Sequence, residues 1–212
     1  SPAEGRVTQT YCMPAFAYGN VYFGYLMMYH PGRDRAVDCE LAWSPDSITW
    51  HRVSPGQPLI PRGERGSGDS MCIYGPAGPA IAQDGRLLIF YGGSDTTHLG
   101  WKRHCLPMLA RLPVDWFVGC EPLDHARSAT LTPQPMLVSD EPLTVSANIT
   151  NGAVRVRVLD AENFSSEPSE PITHSGANQR VTFPGRDAKA LCGQSVRLQF
   201  DQDRATLFGF RG

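Results

Sequence analysis

Two stretches in the first half of the chain combine aromatic rings with polar side chains. The first places Asp69 in a glycine-rich loop and Tyr74 on the strand predicted to follow it. The second ends an apolar strand at a glycine pair, and Tyr91 and His98 flank that pair. Aromatic rings pack on the apolar C–H face of a sugar, and polar groups beside them bind its hydroxyls. The sequence therefore predicts a sugar-type site lined by these four residues. The alternative interpretation is that Asp69 belongs to an ordinary turn and His98 to a surface loop.

A second candidate is the carboxylate pair Asp38 and Glu40. Side chains two residues apart on a strand point to the same face, and paired carboxylates can perform acid–base chemistry. The predicted strand is the third of its group, away from the position expected for a ligand. We therefore interpret this pair as structural.

The common catalytic motifs are absent from the sequence. It contains no G-x-S-x-G, Walker loop, dinucleotide fingerprint or H-E-x-x-H, which removes support for a serine hydrolase, NTPase, dehydrogenase or zincin. The six cysteines include no C-x-x-C and no zinc spacing. We expect no cofactor and no metal. Free buried thiols are the favoured interpretation of the cysteines, and one or two disulfides are the alternative.

Composition sets limits on partners. Net charge is −2, so no electrostatic footprint for nucleic acid or an anionic membrane is evident. The longest apolar run, Val21–Tyr29, is about half the length that a bilayer requires. The 212 residues include 21 glycines and 18 prolines, which favours many short strands joined by turns.

The elements that would position the candidate site come from an internal repeat with an offset of about 65 residues. Pro-Ala-x-Ala begins each copy, at Pro14 and at Pro79, and an apolar run follows. In the first copy the matching positions are 21–29, Leu41-Ala42 and Trp50. In the second copy they are 87–91, Leu109-Ala110 and Trp116-Phe117. Four short strands per copy are typical of a β-propeller blade. In the first copy, Asp46 and Ser47 are predicted to form a tight turn, with Trp50 anchoring the last strand.

The second half has a different pattern. Alternating apolar residues predict strands at 143–149, 154–158, 181–183, 196–200 and 207–210. Asn151-Gly152 joins the first two and predicts a hairpin. The resulting prediction is an all-β chain: two propeller-type blades in residues 1–122, then a β-sandwich in residues 123–212. The sandwich is interpreted as structural, with a carbohydrate-binding module as the alternative.

Four stretches in order resemble the five-bladed β-propeller glycoside hydrolases of the invertase-like family 32 and the related family 43: residues 11–16, 41–50, 66–74 and 90–98. Residues 154–160, 196–200 and 207–210 resemble the sandwich that follows such a propeller. The resemblance implies that this chain corresponds to the last two blades and the sandwich. Because the family's catalytic carboxylates lie in the first three blades, no catalytic residue is assigned. Asp69, Tyr74, Tyr91 and His98 correspond to the rim of the sugar site.

Two function classes therefore stay open: an incomplete glycosidase-like protein acting on carbohydrate, and a non-catalytic carbohydrate-binding or protein-interaction module. Because two blades cannot close a ring, we also expect either a homo-oligomer or the missing blades as partner. The surface predicted to be uncovered consists of Phe16, Tyr22, Phe23, Tyr25, Leu26 and Met28.

Overall fold

The computed structural model describes residues 7–161, 163–164 and 167–212. Across these residues the protein is all-β, with 48% of them in strands, and none of the sheets they form is closed. It divides into two compact units, Ser1–Leu112 and Pro113–Gly212, whereas the sequence prediction set the boundary after residue 122. Within the described ranges, no helix has the length and hydrophobicity needed to span a membrane.

The first unit is a nine-stranded sheet. The strands are β1 Gln9–Cys12, β2 Ala15–Tyr18, β3 Val21–Tyr29, β4 Val37–Ser44, β5 His51–Arg52, β6 Cys72–Tyr74, β7 Ile81–Gln83, β8 Arg86–Ser94 and β9 Cys105–Pro113. The main path runs β1-β3-β4-β6-β8-β7, while β2 pairs with β3, β5 with β4 and β9 with β8.

The structure confirms the internal repeat as a repeat of strands. β3 begins at Val21 and β8 at Arg86, and the two strands have the same length. Their starts are therefore separated by the offset that the sequence repeat shows. β1 and β2 pair with successive parts of β3, and β6 and β7 pair in the same way with β8. A single parallel pairing, Val37 with Cys72, joins the two copies into one open sheet.

The two copies differ at their fourth strand. β5 completes the first copy, and Trp50 packs beside it against Leu26 and Met28, as predicted. The prediction that Trp116 closes the second copy is wrong, because Trp116 lies in a turn after β9 and stacks on Phe208 at a centroid distance of 4.4 Å.

The turn between β4 and β5 forms as the sequence predicts. The Asp46 carboxylate accepts backbone hydrogen bonds from Ile48 at 2.9 Å and Thr49 at 2.7 Å. These bonds lower the pKa of Asp46 to about 2. Ser47 takes a positive φ of 63°, which the Asp46 bonds help to hold.

The prediction of an uncovered apolar surface on the first copy is wrong. Phe16, Tyr25, Leu26 and Met28 are all buried, with 8% exposure or less. Their faces are covered from within the unit, because Gly75 of the second copy lies against Tyr25, and Trp50 lies against the opposite face. Among the six residues predicted, Tyr22 is the exposed one, at 38%.

The second unit has the sandwich-like character that the sequence predicts. Its strands are β10 Ala129–Leu131, β11 Met136–Leu137, β12 Thr144–Val158, β13 Gly176–Arg180, β14 Ser195–Val196 and β15 Leu198–Arg211. A four-stranded sheet of order β10-β15-β12-β13 accompanies a two-stranded sheet of β11 and β14. Alternating residues of β12 and β15, including Val145, Val154 and Phe200, form its core.

The hairpin predicted at Asn151-Gly152 is wrong. The two runs it was expected to join are halves of one strand, β12, and both halves pair with β15. Asn151 has the positive φ of 56° that a hairpin turn would use. Here it sits in a bulge, where residues 150–152 lie opposite Arg204 alone. The strand predicted at 181–183 is also wrong in its position. The strand in this region is β13, which ends at Arg180.

This bulge requires glycine at position 152. A Cβ atom there would overlap the carbonyl oxygen of Asp203, an atom fixed in the facing backbone. We therefore expect Gly152→Ala to lower the free energy of unfolding by about 1–3 kcal/mol. Gly78→Ala is the matched control, because a Cβ at Gly78 meets no atom within 4 Å and its φ lies outside the left-handed region. Chemical denaturation of both variants checks the prediction, and equal losses would contradict the steric cause.

All six cysteines, which lie within the described residues, are free thiols. Cys39 and Cys72 are buried as favoured from the sequence, and burial raises the pKa of Cys39 to about 12. The other four are exposed, so the expectation of buried thiols is wrong for them.

Candidate functional site

The structure separates the four sequence-predicted site residues into two pairs on opposite faces of the sheet. Tyr74 pairs across the strands with Gly92, and directly opposed residues point to the same face. Tyr91 is the neighbour of Gly92 and therefore points to the other face. There its hydroxyl donates to Asp69 at 2.8 Å. On the first face, Tyr74 and His98 form the second pair, with 3.0 Å between the Tyr74 hydroxyl and His98 Nδ1.

The Tyr74–His98 pair belongs to a larger group of rings and one cation. Arg103 Nη1 donates to the Tyr74 hydroxyl at 3.2 Å and lies 3.4 Å from His98 Nδ1. The Tyr11 ring meets His98 edge-on at a centroid distance of 4.6 Å, and the Tyr29 ring lies 5.0 Å from it. We call these five residues the His98 cluster. Tyr11 and Arg103 are exposed, so the cluster reaches solvent.

Local backbone features hold the cluster in place. Position 92 packs closely against Tyr74, since a Cβ there would lie 3.4 Å from that of Tyr74 and 3.3 Å from Cys105 Sγ. The loop after β8 is tied to the first copy by the backbone bond from His98 N–H to the Arg35 carbonyl, at 2.8 Å. The same loop carries Trp101, whose side chain is fully exposed.

The hydrogen bonds define the protonation of His98. Arg103 can only donate, and the Tyr74 hydroxyl that accepts from it has its own proton to donate. His98 Nδ1 is therefore the acceptor, and the proton of the neutral ring lies on Nε2. Burial and the nearby Arg103 charge both lower the pKa of His98, which keeps the ring neutral near pH 7. Burial, with a contribution from Cys72, raises the pKa of Tyr74 to about 12.

The Asp69–Tyr91 pair is enclosed. Asp69 is buried and also accepts from the Ser67 hydroxyl at 2.7 Å. Burial disfavours its charged form, but these hydrogen bonds outweigh burial and lower the pKa of Asp69. Gly63 and Gly93 lie so close that a Cβ at either would overlap the Asp69 side chain. The glycine-rich segment therefore packs around the carboxylate and leaves it little access to a ligand.

The Asp38 and Glu40 carboxylates are both bound by cations. Arg62 Nε donates to Asp38 at 2.6 Å, and His30 lies 2.8 Å from its other oxygen. Glu40, only 2% exposed, accepts from Arg52 Nε and Nη2 at 2.9 and 2.8 Å. These contacts agree with a structural role. In the part of the chain that the structure describes, no group of three His, Cys, Asp or Glu side chains could hold a metal ion.

The site predicted from the sequence contains two of the five cluster members, Tyr74 and His98, and it lacks Tyr11, Tyr29 and Arg103. Tyr29 ends an apolar strand and looked like an ordinary core residue. Arg103 follows His98 closely in the same polar loop, so the signal was present in that spacing.

The charge state of His98 predicts a pH dependence for any ligand that this cluster binds. The folded pKa of His98 lies below its ordinary value of 6.5, so the neutral form predominates above pH 6.5 and is lost as the pH falls through the folded pKa. Protonation stops Nδ1 from accepting and adds a charge beside Arg103. The lost bond is the one that orients Tyr74 and His98 toward the ligand, and a loss of about 1 kcal/mol corresponds to roughly five-fold weaker binding. Titrations over about pH 5–8 check this, and a His98→Gln variant should lose the dependence. Affinity that stays constant over this range in the wild type would contradict it.

Comparison of the chain with protein-family models, with curated proteins and with solved structures finds no match.

Proposed function

We propose that the first unit binds carbohydrate at the His98 cluster and does not cleave it. The observation that carries the proposal is the convergence of the Tyr74 hydroxyl, His98 and the Arg103 guanidinium beside the exposed Tyr11 ring. A sugar needs an aromatic face for its C–H groups and fixed donors and acceptors for its hydroxyls. The cluster offers both on one surface.

The state of the carboxylates favours binding over hydrolysis. Glycoside hydrolysis uses two carboxyl groups that flank the scissile bond, about 5–10 Å apart. Asp38 and Glu40 are engaged by arginines, and Asp69 is enclosed on the opposite face from the cluster. None of these three is placed to act on a sugar at His98.

The strand repeat supports a propeller-type lineage for this unit. Each copy has an interrupted first strand, a nine-residue second strand and a long third strand, which is most of a four-stranded blade. We propose that the unit derives from a glycosidase-like propeller and retains its sugar-contacting surface. The second unit, with its continuous valine and phenylalanine core, then serves as a structural sandwich.

A binding screen combined with an activity assay tests the proposed function. The full chain is titrated calorimetrically with sucrose and with fructo-, xylo-, arabino- and gluco-oligosaccharides, and release of reducing sugar is followed in parallel. We expect saturable binding of at least one oligosaccharide without hydrolysis. Release of sugar that disappears in an Asp69→Asn or Glu40→Gln variant would contradict the non-catalytic assignment. Absence of binding across the panel would contradict carbohydrate recognition.

A further inference from the structure

The two copies of the repeat differ in how one sheet face is covered. In the first copy the side chains of Phe16, Tyr25 and Leu41 share a face and are 8%, 0% and 5% exposed. The corresponding side chains of the second copy, Ile81, Phe90 and Leu109, are 56%, 53% and 37% exposed. We call the latter three the open face. The same structural position is therefore buried in one copy and accessible in the other.

The second copy supplies the part of this cover that lies over Tyr25 and the strands beside it. Gly75 lies against Tyr25 and Cys39, and Cys72 and Tyr74 pack with Met27. The edge of β6 also pairs with the start of β4, through Val37 and Cys72. One copy of the repeat thus presents an apolar face and the start of its third strand, and the next copy covers them with its first strand.

The first copy has an equivalent first strand whose outer edge is not used within the described chain. β1 lies at the end of the sheet path, and its residues are exposed. The residues of β1 that correspond to those of β6 are identified from the strand register. Cys12 pairs with Met27 of β3, and Tyr74 pairs with Gly92, which occupies the same position in β8 that Met27 occupies in β3. Cys12 of β1 is therefore the counterpart of Tyr74 in β6. Each chain thus exposes both surfaces that such an interface joins, the edge of β1 and the open face.

We infer that a second copy of this chain pairs its β1 edge beside the start of β9 and lies over the open face, which repeats the internal interface between molecules. The contact is head-to-tail, since two different surfaces meet, and such contacts form rings when the rotation closes. Closed propellers have about four to eight blades, so two copies of the repeat per chain predict a ring of about two to four chains. Burying side chains such as Phe90 and Ile81 supplies the apolar contact that holds it.

Sedimentation of the full chain and surface variants tests this inference. Wild-type protein should associate with concentration to a defined multiple of 23.2 kDa. Phe90→Asp should sediment as one chain, and so should Cys12→Asp, because each removes one of the two complementary surfaces. Ile48→Asp, at a side chain 83% exposed in the β4–β5 turn, should associate like the wild type. Circular dichroism shows that each variant is folded, and Ile81→Lys replaces Phe90→Asp if the latter is not.

Mixing the two interface variants makes the test specific for head-to-tail docking. Cys12→Asp retains the open face and Phe90→Asp retains β1, so an equimolar mixture should form one-to-one dimers and nothing larger. A monomeric wild type at high concentration would overturn the inference. Association of Phe90→Asp equal to that of the wild type, or a mixture that remains monomeric, would overturn it as well.

Discussion

Replacing His98 with alanine is expected to weaken oligosaccharide binding by about 30-fold, the largest effect on affinity that the structure predicts for one side chain. The substitution removes an acceptor and donor together with a ring that packs against Tyr11 and Tyr29. A hydrogen bond of about 1 kcal/mol and ring packing of a similar size give about 2 kcal/mol. Each tenfold change in an equilibrium constant corresponds to about 1.4 kcal/mol, so calorimetric titration resolves the change easily.

A matched pair of hydroxyl deletions provides the control. Tyr74→Phe removes a hydroxyl from the His98 cluster and should weaken binding about five-fold. Tyr91→Phe removes an identical group from the opposite face, where it donates to Asp69, and should leave affinity unchanged. Equal losses in the two variants would mean that binding responds to general damage of the sheet and would contradict the site.

Replacing Arg52 with alanine is expected to lower the free energy of unfolding by about 3–5 kcal/mol. Arg52 forms a bidentate salt bridge with Glu40. The Glu40 side chain is 2% exposed and also accepts a hydrogen bond from the Gly56 backbone N–H at 3.0 Å. Without Arg52 this carboxylate stays buried beside one backbone donor. The large loss in the free energy of unfolding therefore comes from the buried Glu40 carboxylate that no longer has an arginine partner.

An exposed arginine in the same unit gives the comparison. Arg33 donates to Asp38 at 3.0 Å, but its side chain is 46% exposed, and surface pairs contribute about 0–1 kcal/mol. Arg33→Ala should lie in that range, and a Glu40→Leu/Arg52→Met double variant should be far more stable than Arg52→Ala. Urea denaturation of the full chain measures all three. A double variant as unstable as Arg52→Ala would show that the loss does not arise from the unpaired carboxylate.

The features predictable from the sequence are those that depend on local pattern. The apolar run Val21–Tyr29 forms a strand with those same bounds, and the offset of the sequence repeat places β8 correctly. The Asp46 turn follows from side-chain bonds to the nearby backbone. Each of these is decided by neighbouring residues or by strand periodicity.

The features that sequence reasoning missed depend on pairing between distant segments. Asn151-Gly152 has the composition of a hairpin, but β15 pairs with both halves of β12 and converts the turn into a bulge. The four candidate site residues divide between two faces because Tyr91 and Gly92 alternate along β8, and only the pairing of Gly92 with Tyr74 shows which face is which. Arg103 joins the cluster through the path of a loop, which no periodic pattern encodes.

The measurement that tests the central claim most directly is the NMR spectrum of the His98 imidazole during titration with an oligosaccharide that binds. A His98→Gln variant assigns the signal among the six histidines. We predict that the His98 nitrogen resonances shift saturably, with the same dissociation constant that calorimetry gives, and that Nδ1 keeps the chemical shift of an acceptor. Saturable binding that leaves the His98 resonances unchanged would contradict the assignment of the sugar site to this cluster.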